Sequence, residues 1–133
     1  MRAALAALAL LPACKKAPSS EGLESRNGAV TARYEIHRNV DFNTFLQSQP
    51  PGSADALIMD AVPPAVFVVA KVSVTAPSGA GAGAPGFVST FRFADGSSFK
   101  KPWRAASANP AGAYGAIFGF AKDVTQAETV LAP

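Results

Sequence analysis

The chain has few of the residues on which most enzyme active sites and metal centres depend. Its 133 residues include one cysteine, one histidine and one tryptophan, and 16% of them are charged. A lone cysteine, Cys14, allows no disulfide within the chain, so the hydrophobic core has to hold the fold by itself. Zinc and other transition metals need several His, Cys or carboxylate ligands that converge. We therefore predict no metal centre and no cofactor.

Long apolar runs and a strong charge imbalance are also missing. The N-terminal apolar run, residues 3–11, has nine residues, whereas a helix needs about 20 to cross the hydrocarbon core of a bilayer. The formal net charge of +3 is too small for the electrostatic footprint of a nucleic-acid-binding protein. We predict neither a membrane-spanning helix nor a nucleic-acid partner.

The N-terminus has the three-part layout of a secretory signal peptide. Arg2 supplies a positive charge, residues 3–11 form the apolar segment, and Ala13 is a small residue immediately before Cys14. An amphipathic first helix of a cytosolic protein is disfavoured, because this segment has no polar face to turn toward water. The layout predicts an exported protein.

The end of this segment has the order Leu11, Pro12, Ala13 and Cys14. It resembles the lipobox of bacterial lipoproteins, in which a leucine stands three positions before an obligatory cysteine, although Pro12 replaces the usual small residue. The resemblance implies cleavage between Ala13 and Cys14 and acyl chains on Cys14 that anchor the protein in a membrane. Lys15 after the cysteine favours, by the same resemblance, the outer membrane facing the periplasm. A plain signal peptide is the alternative.

Composition divides the chain into three regions. Residues 15–28 are rich in Lys, Ser, Gly and Glu, as in a linker, whereas apolar and polar residues alternate with a period of two from Ala29 onward. The 11 glycines, 11 prolines and 49% hydrophobic residues suit an all-β domain with its own core. The predicted regions are a signal peptide at 1–13, a lipidated flexible tether at 14–28 and a β-sandwich domain at 29–133.

The alternation predicts six to eight short strands in an antiparallel β-sandwich. The clearest strands are residues 29–37, 66–76, 87–94, 97–101, 113–121 and 127–132. Asp95-Gly96 predicts a hairpin turn, and the first half of 66–76 is apolar on both faces, which indicates a central strand covered on both sides. Residues 41–48 fit either a helix capped by Asp41 or an irregular strand, and residues 55–62 contain a short strand candidate.

Aromatic residues recur at fixed spacing after the long apolar strand. They lie in the hairpin and in the strand that follows it: Phe91, Phe93, Phe99, Phe118 and Phe120, with Asp95-Gly96 in the turn. Over roughly residues 63–133 this order resembles an immunoglobulin-like domain of unknown function that is common in bacterial lipoproteins. The resemblance implies an immunoglobulin-like sandwich and carries no enzymatic residues, because none are assigned in that family.

His37 is the one histidine, so it is the residue that a Ser-His-Asp hydrolase would have to use. Asp41 and Glu35 are the acids near enough in sequence to orient its ring. The strand pattern puts His37 on the outward face, which favours a solvated surface residue. We predict no catalytic residues, and keep a hydrolase that uses His37 as an alternative.

Residues 100–104 have the sequence KKPWR, in which Lys101, Trp103 and Arg104 form an aromatic–basic cluster at a strand end. Such a cluster is a candidate contact for an envelope protein or a glycan. The favoured interpretation is that Trp103 closes the end of the core instead. Our leading hypothesis is a lipid-anchored binding or accessory module. The alternatives are the hydrolase and a structural or assembly subunit of an envelope complex that uses this cluster.

Overall fold

The computed structural model describes residues 19–49, 54–75 and 84–132. The predicted signal peptide at 1–13, the Ala13–Cys14 cleavage site and the lipidation site at Cys14 lie outside the described residues. Eight strands and one short helix follow in chain order: β1 (Ser19–Asn27), β2 (Val30–Arg38), α1 (Phe42–Ser48), β3 (Ala56–Met59), β4 (Val66–Val74), β5 (Gly86–Phe93), β6 (Ser98–Arg104), β7 (Ala113–Phe120) and β8 (Val124–Leu131).

The strands form two sheets that pack as a sandwich. The five-stranded sheet has the order β1-β2-β4-β7-β3, and the three-stranded sheet has the order β6-β5-β8. The predicted all-β sandwich of six to eight strands is therefore confirmed. One pair differs from the antiparallel prediction, because β3 runs parallel to β7 from the pair Ala56–Ala116 to the pair Met59–Gly119. Alternation indicates which side chains point inward, but it does not reveal the direction of a four-residue strand.

The main core lies between the sheets and is rich in aromatic rings. Its buried rings come from both sheets: Tyr34, Phe87, Phe91, Phe93, Trp103, Phe118 and Phe120. Phe91 sits centrally, with its ring centroid 4.7 Å from that of Phe118 and 5.0 Å from that of Phe120. Tilted contacts at this spacing add to the stability that the buried area provides.

A second, smaller core lies on the outer face of the five-stranded sheet, beneath α1. The Asp41 carboxylate accepts a hydrogen bond from the backbone N–H of Thr44 at 3.0 Å, so the helical interpretation of residues 41–48 is correct, with Asp41 as its N-cap. Phe45 is buried, and its ring stacks on Phe67 of β4 with centroids 4.4 Å apart. The helix thus covers the apolar outer side of β4, as predicted for a strand buried on both faces.

The folded domain begins earlier than the linker-like composition predicts. β1 lies within the predicted tether 14–28 and pairs along its whole length with β2, starting at the Ser19–Arg38 pair. The structure therefore corrects the tether and moves the start of the domain from Ala29 to Ser19.

The inward face of β1 explains why its composition resembles a linker. Of its three half-buried residues, Leu23, Ser25 and Asn27, only Leu23 is apolar. Ser25 is polar at an inward position because its hydroxyl is hydrogen-bonded to Tyr34. The usable signal was Gly28, the first of the two turn residues between the paired Asn27 and Val30. Its φ of 62° is the positive value that two-residue hairpin turns require at this position.

Candidate functional site

His37 lies near the end of β2 and is half-buried. Its Nε2 is 3.4 Å from Oε1 of Glu35, and its ring centroid is 5.3 Å from that of Phe45 in α1. Glu35 is also 3.4 Å from Nζ of Lys71. Asp41, the other predicted orienting acid, uses its carboxylate to cap α1. The structure thus brings Glu35 to His37 and gives Asp41 a helix-capping role.

The structure separates the side chains of the candidate contact formed by Lys101, Trp103 and Arg104. Trp103 is only 6% exposed, and its ring centroid lies 4.7 Å from that of Phe87. Arg104 is exposed and donates a hydrogen bond to the backbone carbonyl of Ala84 at 3.0 Å. Trp103 therefore belongs to the core, and the three side chains do not present one surface to a partner.

Lys101 and Pro102 protect an open edge, because β6 is an edge strand of the three-stranded sheet. Lys101 stands opposite Ser89 in the pairing register, on the core-facing side, yet its side chain is exposed at the edge. An inward-directed lysine and a proline without a backbone N–H both hinder the addition of another strand. Lys101 and Pro102 therefore have a structural explanation as protection of this edge.

A chain of hydrogen bonds runs across the core from one sheet to the other. Trp103 Nε1 donates to Ser89 Oγ at 2.9 Å, and Ser89 Oγ lies 2.9 Å from Thr129 Oγ1. Thr129 Oγ1 is 2.7 Å from the hydroxyl of Tyr34, which is 2.9 Å from Ser25 Oγ. Ser89 and Thr129 are both 0% exposed. We call these five residues the hydroxyl chain.

The indole N–H fixes the direction of the first bond of the hydroxyl chain, since Trp103 can only donate. Ser89 therefore accepts from Trp103, whereas in the three bonds that link Ser89, Thr129, Tyr34 and Ser25 either hydroxyl can be the donor. Ser25 is half-buried on the edge strand β1. Desolvation by burial raises the pKa of Tyr34 above its ordinary value of 10.0, so its hydroxyl keeps its proton at neutral pH. Among the described residues, no buried side-chain nitrogen or oxygen lacks a partner.

The surface concavities are open, and polar and apolar groups line them in similar measure. A groove of about 480 Å³ at the seam between β1 and β8 has Leu23 and Ala127 among its lining residues, together with Arg26, Arg92 and Glu128. Small-molecule sites are usually enclosed and mostly apolar. This groove better fits a polar surface contact than a bound cofactor.

A second groove, of about 530 Å³, surrounds Asp55. The two carboxylate oxygens of Asp55 accept hydrogen bonds from the backbone N–H groups of Ala106 and Gly115, both at 2.9 Å. The carboxylate thereby joins the residues before β3 to the β6–β7 loop and to β7. The hydrogen bonds of Asp55 therefore serve to hold these segments together.

Basic side chains without an ion pair are concentrated on the outer face of the three-stranded sheet. Arg92, Lys100 and Arg104 are exposed there, and none forms an ion pair with an acid within the described ranges. By contrast, four basic residues elsewhere do form ion pairs: Arg33, Arg38, Lys71 and Lys122. Glu128 is the one acid on the same face, in the row with Thr90 and Lys100. We call Arg92, Lys100 and Arg104 the basic face.

Comparisons of the chain with protein-family models, with curated proteins and with solved structures find no match. In the part of the chain that the structure describes, no three His, Cys, Asp or Glu side chains are grouped to hold a metal. The described helix, α1, has seven residues, and none of the described segments forms a helix of the length and hydropathy needed to span a membrane. Function therefore has to be argued from the residues themselves.

Proposed function

We propose that the protein is a lipid-anchored envelope protein whose β-sandwich is a small binding or accessory module. The observation that carries the proposal is the position of Cys14, the one cysteine, directly after a charged residue, an apolar segment and a small residue. β1 starts at Ser19, five positions after Cys14, so acyl chains at Cys14 would hold the whole sandwich close to the membrane. Resemblance to lipoprotein signals favours the outer membrane, facing the periplasm.

A binding role is favoured by the chemistry of the exposed groups. The polar side chains inside the fold are engaged in the hydroxyl chain, and those outside form ion pairs, a helix cap and the basic face. Glycans, headgroups and acidic protein segments are the partners that such an exposed polar surface would bind. The immunoglobulin-like module would then act through its surface.

A hydrolase that uses His37 is the second candidate. The observation in its favour is the contact between His37 and Glu35 at 3.4 Å, which would orient the ring. A nucleophilic hydroxyl or thiol also has to lie within hydrogen-bond reach of the imidazole. Within the described residues, Glu35 is the hydrogen-bond partner of His37. A His37→Ala variant that retains every cellular phenotype would rule this candidate out.

The anchor is tested by replacing Cys14 with Ser in cells that express the protein. We expect Cys14→Ser to abolish incorporation of labelled palmitate and to move the protein from the membrane fraction to the soluble fraction. Lys15→Asp is the matched control, since it should keep the label and, by resemblance to enterobacterial lipoproteins, move the protein to the inner membrane. A Cys14→Ser protein that remains labelled and membrane-bound would overturn the proposal.

A further inference from the structure

The β5–β6 and β7–β8 turns lie at the end of the sandwich at which β1 begins. Ser19 pairs with Arg38, and Arg38 Nε lies 2.6 Å from Oδ1 of Asp123 in the β7–β8 turn. The backbone N–H of Ala94, in the β5–β6 turn, donates to the carbonyl of Asp123 at 3.0 Å. Ser19 therefore lies at the same end as these two turns. We call it the proximal end.

The distance from Cys14 to the proximal end is limited by chain length. Five residue steps separate Cys14 from Ser19, and a fully extended chain advances at most about 3.6 Å per residue, so the reach is about 18 Å. β1 also lies beside β8, an edge of the three-stranded sheet. A lipid anchor at Cys14 would thus hold this sheet, with its uncovered outer face, near the headgroups.

The two outer faces of the sandwich differ in charge. On the three-stranded sheet, Arg92, Lys100 and Arg104 outnumber Glu128, and Lys101 adds a further positive charge at the β6 edge. The outer face of the five-stranded sheet is partly covered by α1. Its basic residues Arg33 and Lys71 are paired with Glu24 and Glu35, while Arg26 in the edge strand β1 is exposed. The three-stranded sheet therefore presents the uncovered outer face with the larger excess of basic over acidic side chains.

We propose that the basic face lies flat on the anionic headgroups of the membrane that holds Cys14, an inference that rests on the lipid anchor of the proposed function. Anionic lipid attracts each basic residue near its surface. The anchor makes the contact intramolecular, so a face too weakly charged to bind alone is held by the high effective concentration. The sandwich then lies on its side, with α1 and the five-stranded sheet directed away from the membrane.

The chain provides its own reporters for this orientation. Cys14 is the one cysteine and Trp103 the one tryptophan. Trp103 is five residues along β6 from Ser98 at the proximal end, about 17 Å farther along the strand axis. An upright domain would hold Trp103 well away from the membrane, whereas a domain lying on its basic face would bring it within about 10 Å of the headgroups, the thickness of a sheet layer.

The experiment couples the chain from residue 14 onward, through the Cys14 thiol, to a maleimide lipid in vesicles. All described elements start at Ser19 or later, so this chain keeps every one of them, and the coupling supplies the anchor whether or not the cell does. Energy transfer from Trp103 to dansyl-labelled headgroups is then measured. We expect more transfer in vesicles that contain phosphatidylglycerol than in pure phosphatidylcholine, and loss of that excess in molar salt.

Paired double variants make the test specific. Arg92→Gln with Lys100→Gln should remove the excess transfer. Arg33→Gln with Lys71→Gln removes the same charge from the other outer face and should preserve it. Equal transfer in the two kinds of vesicle, or an equal loss in both double variants, would overturn the orientation while leaving the anchor intact. Absence of palmitate on Cys14 in cells would instead count against the anchor.

Discussion

Tyr34 is the residue through which the two sheets share polar contacts. It belongs to β2 of the five-stranded sheet and is only 1% exposed. Its hydroxyl oxygen lies 2.7 Å from Oγ1 of Thr129 in the three-stranded sheet. A buried hydroxyl without a partner would cost about 1–3 kcal/mol. The hydroxyl chain removes that cost and also aligns β5 and β8 against β2.

The raised pKa of Tyr34 predicts how stability changes at alkaline pH. In the unfolded chain the phenol ionises near pH 10, whereas desolvation keeps it protonated in the folded protein. Above pH 10 the unfolded state therefore binds fewer protons, and the stability that is fully present below this pH is lost as pH rises through the folded pKa. We expect tyrosinate absorbance from Tyr34 to appear together with the loss of far-UV circular dichroism.

The matched variant for the alkaline titration is Tyr34→Phe. It should lack the part of the tyrosinate signal that coincides with unfolding. Ionisation of Tyr34 while the circular dichroism is still native would contradict the prediction.

Removal of a hydroxyl should cost more in the middle of the hydroxyl chain than at its end. Thr129→Val keeps the side-chain shape but leaves two buried hydroxyls, on Ser89 and Tyr34, without their shared neighbour. We expect a loss of about 1–3 kcal/mol in the free energy of unfolding, measured with urea. Ser25→Ala should cost less, since Ser25 is half-buried on an edge strand and water can replace it. Equal losses would argue against a connected chain.

One member of the hydroxyl chain, Ser89, was predictable from sequence as a buried polar residue. Period-two alternation places Ser89 between the inward residues Phe87 and Phe91, and a serine at an inward position indicates a buried polar contact. Its partner was not predictable, because Thr129 is 40 residues away and the register of β5 against β8 contains an irregularity at Arg92–Phe93. Sequence alternation identifies a face, whereas a side-chain partner depends on register.

At the scale of elements, the pattern of apolar residues predicted the strands whose inward side chains are apolar. It missed the strand whose inward side chains are mostly polar. The long apolar run of β4 correctly predicted cover on both faces, since α1 lies on one side and the main core on the other. β1 was assigned to the tether because its inward face is mostly polar. The alternation also did not predict strand direction, as the parallel pairing of β3 with β7 shows.

Gly119 in β7 has no side chain, which leaves room for β3 to lie beside β7 in this parallel pair. A Cβ added to Gly119 would collide with Sδ of Met59 in β3 and would lie 2.9 Å from Cβ of Pro64. Gly119→Ala should therefore displace β3 and cost about 1–3 kcal/mol in urea unfolding, the usual range for overpacking. The control is Gly22→Ala in β1, where the nearest atom, the carbonyl oxygen of Tyr34, is 3.9 Å away. A similar loss in both variants would show that β3 is not constrained by this contact.

At the scale of the whole molecule, ion-paired and unpaired charged residues lie on different surfaces of the sandwich. The described residues contain ion pairs at the proximal end and on the outer face of the five-stranded sheet, and unpaired bases on the three-stranded sheet. Net charge alone, at +3, indicated no such division. Only the register of the strands shows that Arg92 and Lys100 share one face.

Arg38 connects the start of the domain to the rest of the sandwich. Its guanidinium lies 3.0 Å from Oε1 of Glu21 in β1 and 2.6 Å from Oδ1 of Asp123 in the β7–β8 turn, and the hydrogen bond to Asp123 raises the pKa of Arg38 above its ordinary value. The side chain is 23% exposed, so solvent screens these bonds less than it screens a fully exposed pair.

Arg38→Gln should therefore loosen β1 while leaving most of the sandwich unchanged. We expect the amide protons that β1 donates to β2 near Ser19 to exchange about fivefold faster, which corresponds to a local loss of about 1 kcal/mol. Core amides should change less. Arg33→Gln breaks the pair with Glu24, a contact at 3.6 Å whose arginine is 79% exposed, and should alter exchange in β1 much less. If Arg33→Gln speeds exchange in β1 as much as Arg38→Gln does, loss of any positive charge from β2 would explain the effect. The link from β1 to the β7–β8 turn would then not be what holds the start of the domain.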